Sequence, residues 1–291
     1  MPDPIALSEA KIAILGLGLM GGSLAMALQG KCALLVGADP QARTVTQATQ
    51  RKIVDRAASD PREILPEANV VILAAPVRAI LQLLDQLPDL HPGEALVLDL
   101  GSTKSHITQA MQALPERFDP MGGHPMCGKE KSSLEHAEKS LYQDAAFVLT
   151  PLERTSQRAR SLVLQIVQAI GAHPLWLEPA EHDRWVAATS HVPFLLASAL
   201  VAATPAEAVS LIGPGYLSVT RLADSSNQMM MDILATNRVN ILTALNRFQE
   251  KVQELSDLLA GEDDERLAQI LSSVSAQHEQ SIKAKHGGGK S

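Results

Sequence analysis

Lys11-Ile12-Ala13-Ile14-Leu15-Gly16-Leu17-Gly18-Leu19-Met20-Gly21 reads as a short apolar strand, a glycine turn and the opening of a helix. Each glycine in this G-x-G-x-x-G spacing has a physical task. Gly16 permits the tight turn, Gly18 lets the backbone approach a pyrophosphate, and Gly21 lets the helix pack closely on the strand. Leu17, Leu19 and Met20 complete the turn, and the helix N-terminus offers N–H groups and a partial positive charge to phosphates. The glycine pattern alone is weak. Its setting, after a strand and before a helix and a second strand ending at Asp39, points to dinucleotide binding.

Asp39 lies eighteen residues beyond Gly21, where a carboxylate accepts hydrogen bonds from an adenosine ribose and repels a 2′-phosphate. That favours NAD. Arg43, one turn further, could pair with such a phosphate, so NADP stays open. Asp39 can equally be a helix N-cap with Pro40 at the first helical position, which is compatible with the ribose role.

Outward from this element, apolar runs alternate with helical stretches, as in βαβ units feeding a parallel sheet. Strands are expected at 33–38, 70–75, 95–99 and 146–150, a further one at 174–177, and helices at 20–29 and 41–51. Ala75 and Pro76, where the run at 70–75 ends, join the expected cofactor set, because open α/β sheets bind ligands at the carboxyl ends of their strands. Beyond about residue 180 the apolar period changes from two to roughly 3.6. The expected fold class is therefore α/β, with an N-terminal Rossmann-type doubly wound sheet over residues 1–178 followed by an all-α domain over 179–291. In the helical half Ile241, Leu245, Phe248, Val252, Leu255 and Leu259 form a heptad seam that needs a partner, either within the chain or across a homodimer. Gly261 is the expected stop, a last helix carries Leu267, Ile270, Leu271 and Val274, and the tail at 283–291 reads as disordered.

Composition removes other classes. With 32 acidic and 25 basic side chains the formal charge is −7, and two Trp, two Tyr and four Phe are the only aromatics, a poor basis for a nucleic-acid groove. The uncharged stretches at 12–30 and 186–206 look like membrane spans at first sight. The first is broken by glycines and the second carries Thr189, Ser190, His191, Pro193 and Ser198, so a buried helix is the better reading there. Cys32 and Cys127 do not make a disulfide framework, and no signal peptide precedes the first strand, so a cytoplasmic setting is expected. No metal is expected.

Two further segments follow strands. Asp99-Leu100-Gly101-Ser102-Thr103-Lys104-Ser105 is a hydroxyl-rich turn that could face a nicotinamide ring or cap the next helix, and Gly122-Gly123-His124-Pro125-Met126-Cys127-Gly128-Lys129-Glu130-Lys131-Ser132 reads as a loop holding one histidine.

Taken together, these motifs resemble the prephenate and arogenate dehydrogenases of tyrosine biosynthesis. The resemblance rests on Gly16 to Gly21, a D-x-x-S-x-K turn at Asp99 to Lys104, a G-H-P-[MI]-x-G element at Gly123 to Gly128 with Thr150-Pro151, an S-H-x-P element at Ser190 to Pro193, and Thr220-Arg221, in family order up to about residue 260. It implies oxidative decarboxylation of a cyclohexadienol with hydride transfer to NAD(P)⁺. It also implies His124 as base or polarising group, with Ser102 holding the same hydroxyl oxygen, Arg221 as carboxylate clamp and His191 near the substrate. Lys104 would lie near cofactor or substrate or merely cap its helix. Where many relatives carry F-R-D-x-[TS]-R this chain has Tyr216-Leu217-Ser218-Val219-Thr220-Arg221, and Phe194 replaces the second histidine of S-H-x-P-H. Glu130 could meet the amine of arogenate and Lys129 a dianionic substrate, so the choice between prephenate and arogenate is open. Two competing readings are a β-hydroxyacid dehydrogenase or imine reductase of similar architecture, and a non-catalytic NAD-sensing protein.

Overall fold

The computed structural model describes residues 6–129, 131 and 133–287. In chain order the elements are β1 (Lys11–Leu15), α1 (Leu19–Leu28), β2 (Leu34–Ala38), α2 (Ala42–Gln50), β3 (Arg56–Ala58), β4 (Val70–Leu73), α3 (Val77–Leu90), β5 (Ala95–Asp99), α4 (Ser105–Gln112), β6 (Phe118–Pro125), β7 (Ala146–Pro151), α5 (Gln157–Ala169) and β8 (His173–Trp176). They are followed by α6 (Pro179–Val186), α7 (Val192–Ala203), α8 (Pro214–Thr220), α9 (Asn227–Thr236), α10 (Arg238–Ala260) and α11 (Asp264–Gly287).

The strands form one sheet in the order β3-β2-β1-β4-β5-β6-β7-β8, parallel throughout except where β6 meets β7. This is the doubly wound arrangement expected of the first half. The order reverses between β1 and β4, which opens a crevice at the carboxyl ends of those strands. Side chains alternate across the sheet: Ile12 and Ile14 face a core with Leu24, Leu28, Leu162 and Ile166, whereas Ala13 and Leu15 face a second core with Ile80, Leu84, Ile107 and Met111. Each fully buried Leu or Ile contributes about 1.5–3 kcal/mol, so both faces anchor the strand ends that carry the site.

Several expectations are corrected. Gly122 to Pro125 are not a loop but the end of β6, with Gly123 opposite Leu149 and His124 opposite Val148 of β7. Glycine and proline are poor strand formers, but the antiparallel ladder from β7 supplies what local propensity does not. The short β3 has no sequence signature, and α2 starts at Ala42 with Gln41 as its cap, so Asp39 is not the cap and Pro40 is not its first residue. The apolar segment expected to form a buried helix is instead half uncovered: of α7 only Val192 and Ala197 are buried, while Leu200 and Val201 are exposed. Residues 179–203 form one helical stretch long and apolar enough to cross a membrane.

The chain separates into two compact units, Met1–Ile241 and Leu242–Ser291. In the second, Phe248, Val252 and Leu259 of the heptad seam are exposed at 39%, 47% and 65%. Helix α10 ends at Ala260, and the left-handed residue beyond it is Glu262 (φ 54°) rather than Gly261. Asp264 and Glu265 occupy the first turn of α11, where acidic side chains complement the helix dipole. That helix runs to Gly287, so residues 283–287 of the expected disordered tail are helical, since α11 propagates its backbone hydrogen bonds through the polar tail.

Candidate active site

The glycine turn behaves as its spacing implies. Gly16 has φ 100°, and a Cβ at Gly21 would overlap the Gly16 carbonyl oxygen, so the turn closes only with glycine at both positions. Gly18 caps α1 without a side chain, leaving the helix mouth open beside Leu17, Leu19 and Met20. Asp39, at the end of β2, accepts the Leu17 N–H at 3.0 Å and the Gln41 N–H at 2.9 Å, one on each carboxylate oxygen. Each oxygen retains a lone pair for a ribose hydroxyl, so these residues fit a dinucleotide. Arg43 is exposed and ion-paired with Glu135. Ala75 and Pro76 stand between β4 and α3, half-buried and exposed.

One strand further, the carboxyl end of β5 is braced by a buried ion pair. The Asp99 carboxylate accepts the N–H groups of Gly101 at 2.8 Å and Gly123 at 3.0 Å. The wholly buried Lys104 ammonium donates to Asp99 and, at 2.6 Å, to the Gly123 carbonyl. Burial pulls Lys104 below its ordinary pKa while Asp99 opposes that pull. Lys104 is thus committed to joining the turn at 99–104 to β6 rather than lying open to a ligand. Within that turn Ser102 is half-buried, and the buried Thr103 shares a 2.9 Å hydrogen bond with Thr236.

His124, next to Gly123 and only partly exposed, has its Nδ1 2.8 Å from Nε2 of His182, the rings meeting edge to face. His182 in turn places its Nδ1 2.8 Å from Oδ1 of Asp183. The Asp183 carboxylate also accepts the N–H groups of Lys104 at 2.7 Å and Ser105 at 2.8 Å, capping α4. Burial holds the His124 imidazole well below the usual histidine range, and His182, Lys104 and His191 push it the same way. Burial raises Asp183, but its hydrogen bonds from His182, Ser105 and Lys104 outweigh this and hold the carboxyl below its ordinary value.

His191 closes a π turn, Ala187–His191, between α6 and α7. Such turns are frequent at functional sites. It is buried, its Nδ1 lies 3.3 Å from Nδ2 of Asn237, and burial lowers its pKa to about 4. Asn237 also donates to the Asp183 carbonyl at 2.7 Å, so it ties the two histidine-bearing segments together. Arg221 begins the 3-10 turn after α8, exposed, on a segment packed against α7. Lys129 pairs with Glu138 at 2.7 Å, and burial pushes the Cys127 thiol up to about 11, which keeps it protonated. Glu130 lies outside the described residues.

Of the residues expected from sequence, His124, Ser102 and Lys104 converge on the ends of β5 and β6, and His191 joins them through Asn237. His182, Asp183 and Asn237 were missed. They lie 46 to 79 positions from the partners they hold, on segments with no motif of their own, although a His-Asp dipeptide in the helix just before Ser190-His191 was a usable signal.

Comparison with known proteins agrees with this fold. The family model described as prephenate dehydrogenase, nucleotide-binding domain, matches residues 24–175, and that for the prephenate dehydrogenase dimerization domain matches residues 178–273. The chain is 32% identical over 270 residues to a prephenate dehydrogenase of Bacillus subtilis, covering 88% of this chain and 72% of the relative. Its fold resembles the crystal structure of prephenate dehydrogenase from Aquifex aeolicus in complex with hydroxyphenyl propionate and NAD⁺, with a TM-score of 0.87, 28% identity, and 95% and 99% of the two chains covered. It also resembles Synechocystis arogenate dehydrogenase, with a TM-score of 0.80, 27% identity, and 93% and 99% covered.

Proposed function

This chain belongs to the prephenate dehydrogenase family, and from that premise we propose that His124 is the base of an NAD-dependent oxidative decarboxylation of a cyclohexadienyl substrate, prephenate or arogenate. The observation that carries the assignment is an imidazole fixed at the carboxyl edge of the sheet and kept uncharged by burial. Bound NAD⁺ accepts the hydride from the hydroxyl-bearing ring carbon. The work left to the protein is orientation and the handling of one proton.

In this reading the Ser102 hydroxyl holds the ring alcohol oxygen, and His124 takes its proton as the hydride leaves. The ring carboxylate departs as CO₂, and His124 returns the proton to the phenolate oxygen as the ring becomes aromatic. Aromatisation supplies the driving force, so a weakly basic imidazole suffices. His191, buried and uncharged, lines the substrate side, and the Arg221 guanidinium clamps a substrate carboxylate through its planar fork. Glu130 remains our candidate for the side chain that distinguishes amine from keto acid. The residues that hold NAD are Gly16 to Gly21, Asp39, Ala75, Pro76 and Ser102. Engagement of Arg43 by Glu135 supports NAD over NADP.

We place the division between nucleotide-binding and helical domains near residue 178, where the two family models meet. The uncovered apolar faces of α7 and α10 support a homodimer through the helical domain. Two free thiols accord with a cytoplasmic setting.

The deciding experiment mixes the protein with NAD⁺ or NADP⁺ and with prephenate, arogenate or a 3-hydroxyacid, and follows reduced nicotinamide by absorbance. Reduction of NAD⁺ with a cyclohexadienyl substrate is expected; its absence with both such substrates sinks the reading. Arg221→Ala is expected to raise KM by ~10-fold or more with kcat little changed, as for loss of binding shared by ground and transition states. The pH dependence has a definite sign. Because the free-enzyme pKa of His124 is depressed, the base stays competent as pH falls through 6.5, and kcat/KM drops only well below that value. An acidic limb centred at or above 6.5 would contradict the burial argument.

A further inference from the structure

We propose that the Asp183–His182 pair is a positioning device that selects the tautomer of His124, keeping the His124 proton on Nδ1 and leaving Nε2 as a lone pair for the ring hydroxyl. The proposal deepens the functional reading above and rests on His124 being the base. Nothing in the family motif of residues 123–128 dictates which ring nitrogen carries the proton, because an isolated imidazole populates both tautomers.

The geometry removes that freedom. A carboxylate without a proton can only accept, so Oδ1 of Asp183, 2.8 Å from Nδ1 of His182, requires the His182 proton at Nδ1. With one proton on that ring, Nε2 of His182 is an acceptor. His124 Nδ1, 2.8 Å away, must then be the donor, and its own single proton is spent there. The remaining His124 nitrogen, Nε2, is left unprotonated.

Asp183 is well suited to fix the start of this chain. Two backbone N–H donors of the α4 N-terminus, from Lys104 and Ser105, already hold its carboxylate ionised and immobile. His182 is itself completely buried, so its ring has no water to compete for either nitrogen. The charged and titratable groups facing His124 act in the same sense. Burial, His182, the Lys104 ammonium paired with Asp99, and His191 beyond Asn237 all disfavour a second proton on the His124 ring in the resting protein. When His124 does take the hydroxyl proton, its Nδ1–H stays on the His182 acceptor, so the ring need not turn between proton uptake and return.

The test reads the tautomer directly. Long-range ¹H–¹⁵N NMR on the full, ligand-free chain labelled at histidine should show His124 protonated at Nδ1 and bare at Nε2 at neutral pH. His182→Leu removes the acceptor while keeping an apolar filling. It is expected to give a mixed tautomer and a kcat lower by ~10-fold or more, with KM and NAD⁺ affinity nearly unchanged. His182→Gln can return an acceptor oxygen to the position of Nε2, and it should restore most of kcat and the Nδ1–H signal. A resting His124 protonated at Nε2, or wild-type kcat in His182→Leu, overturns the proposal. Should His182→Leu fail to fold, the wild-type spectrum and His182→Gln still decide: a Gln variant with the Nε2 tautomer or no activity also overturns it. Because the spectrum needs no substrate, an Nδ1–H tautomer in a protein inert toward both cyclohexadienyl compounds would sink the functional reading and leave the tautomer selection standing.

Discussion

His124→Asn is expected to lower kcat by at least ~100-fold, the usual scale for losing a general base, while NAD⁺ affinity changes little. Asparagine keeps the size and a hydrogen-bonding amide on β6, so the strand pairing of His124 with Val148 and the bracing of Gly123 by Asp99 and Lys104 should persist. What it cannot do is accept and later return a proton. The glycine turn and Asp39 lie three and four strands away in the sheet order β2-β1-β4-β5-β6, which is why cofactor affinity is the internal control. Steady-state kinetics with a cyclohexadienyl substrate, together with NAD⁺ titration by fluorescence, measures both quantities. Wild-type turnover by the variant would remove His124 from the mechanism.

The second large effect is on stability. Lys104→Met should destabilise the fold by about 3–5 kcal/mol, because it strips the counter-charge from an Asp99 carboxylate that is fully buried. For a domain of this size that corresponds to a fall in Tm of roughly 10 °C. The carboxylate retains its two backbone N–H donors, from Gly101 and Gly123, which moderate the loss without balancing a whole charge. Adding Asp99→Asn to Lys104→Met removes the orphaned charge and keeps an acceptor, so the double variant should melt above the single one. Scanning calorimetry on the three proteins tests this, and a Lys104→Met protein that melts with the parent would show that the pair does not brace the β5 turn.

The nucleotide-binding half was legible because its physics is local. Ile12 to Leu15, the glycine spacing and Asp39 lie within one βαβ unit, and each position constrains the chain by itself. The end of strand β6 was not legible: Gly-Gly-His-Pro has no strand propensity, and only the antiparallel ladder from β7 makes it extended. His124 was singled out from a motif, but its support was hidden, since the 2.8 Å contact joins it to a residue 58 positions away. Lys104 was ambiguous for a similar reason. A lysine in a hydroxyl-rich turn says nothing of a buried carboxylate five residues earlier until the turn is folded. The heptad seam at 241–259 was read correctly as apolar and in need of a partner, but no local rule tells an internal helix from one that meets a second chain. Phe248, Val252 and Leu259 of the seam are exposed here, whereas Ile241 is buried.

A crystal structure of the ternary complex with NAD⁺ and an unreactive cyclohexadienyl analogue is the most direct test of the assignment of His124. Nε2 of His124 is expected within hydrogen-bond reach of the analogue's ring hydroxyl, about 2.6–3.2 Å, with Nδ1 still on His182 and the nicotinamide over the ring carbon. A hydroxyl bound to some other group, with the His124 ring turned away from it, would contradict it.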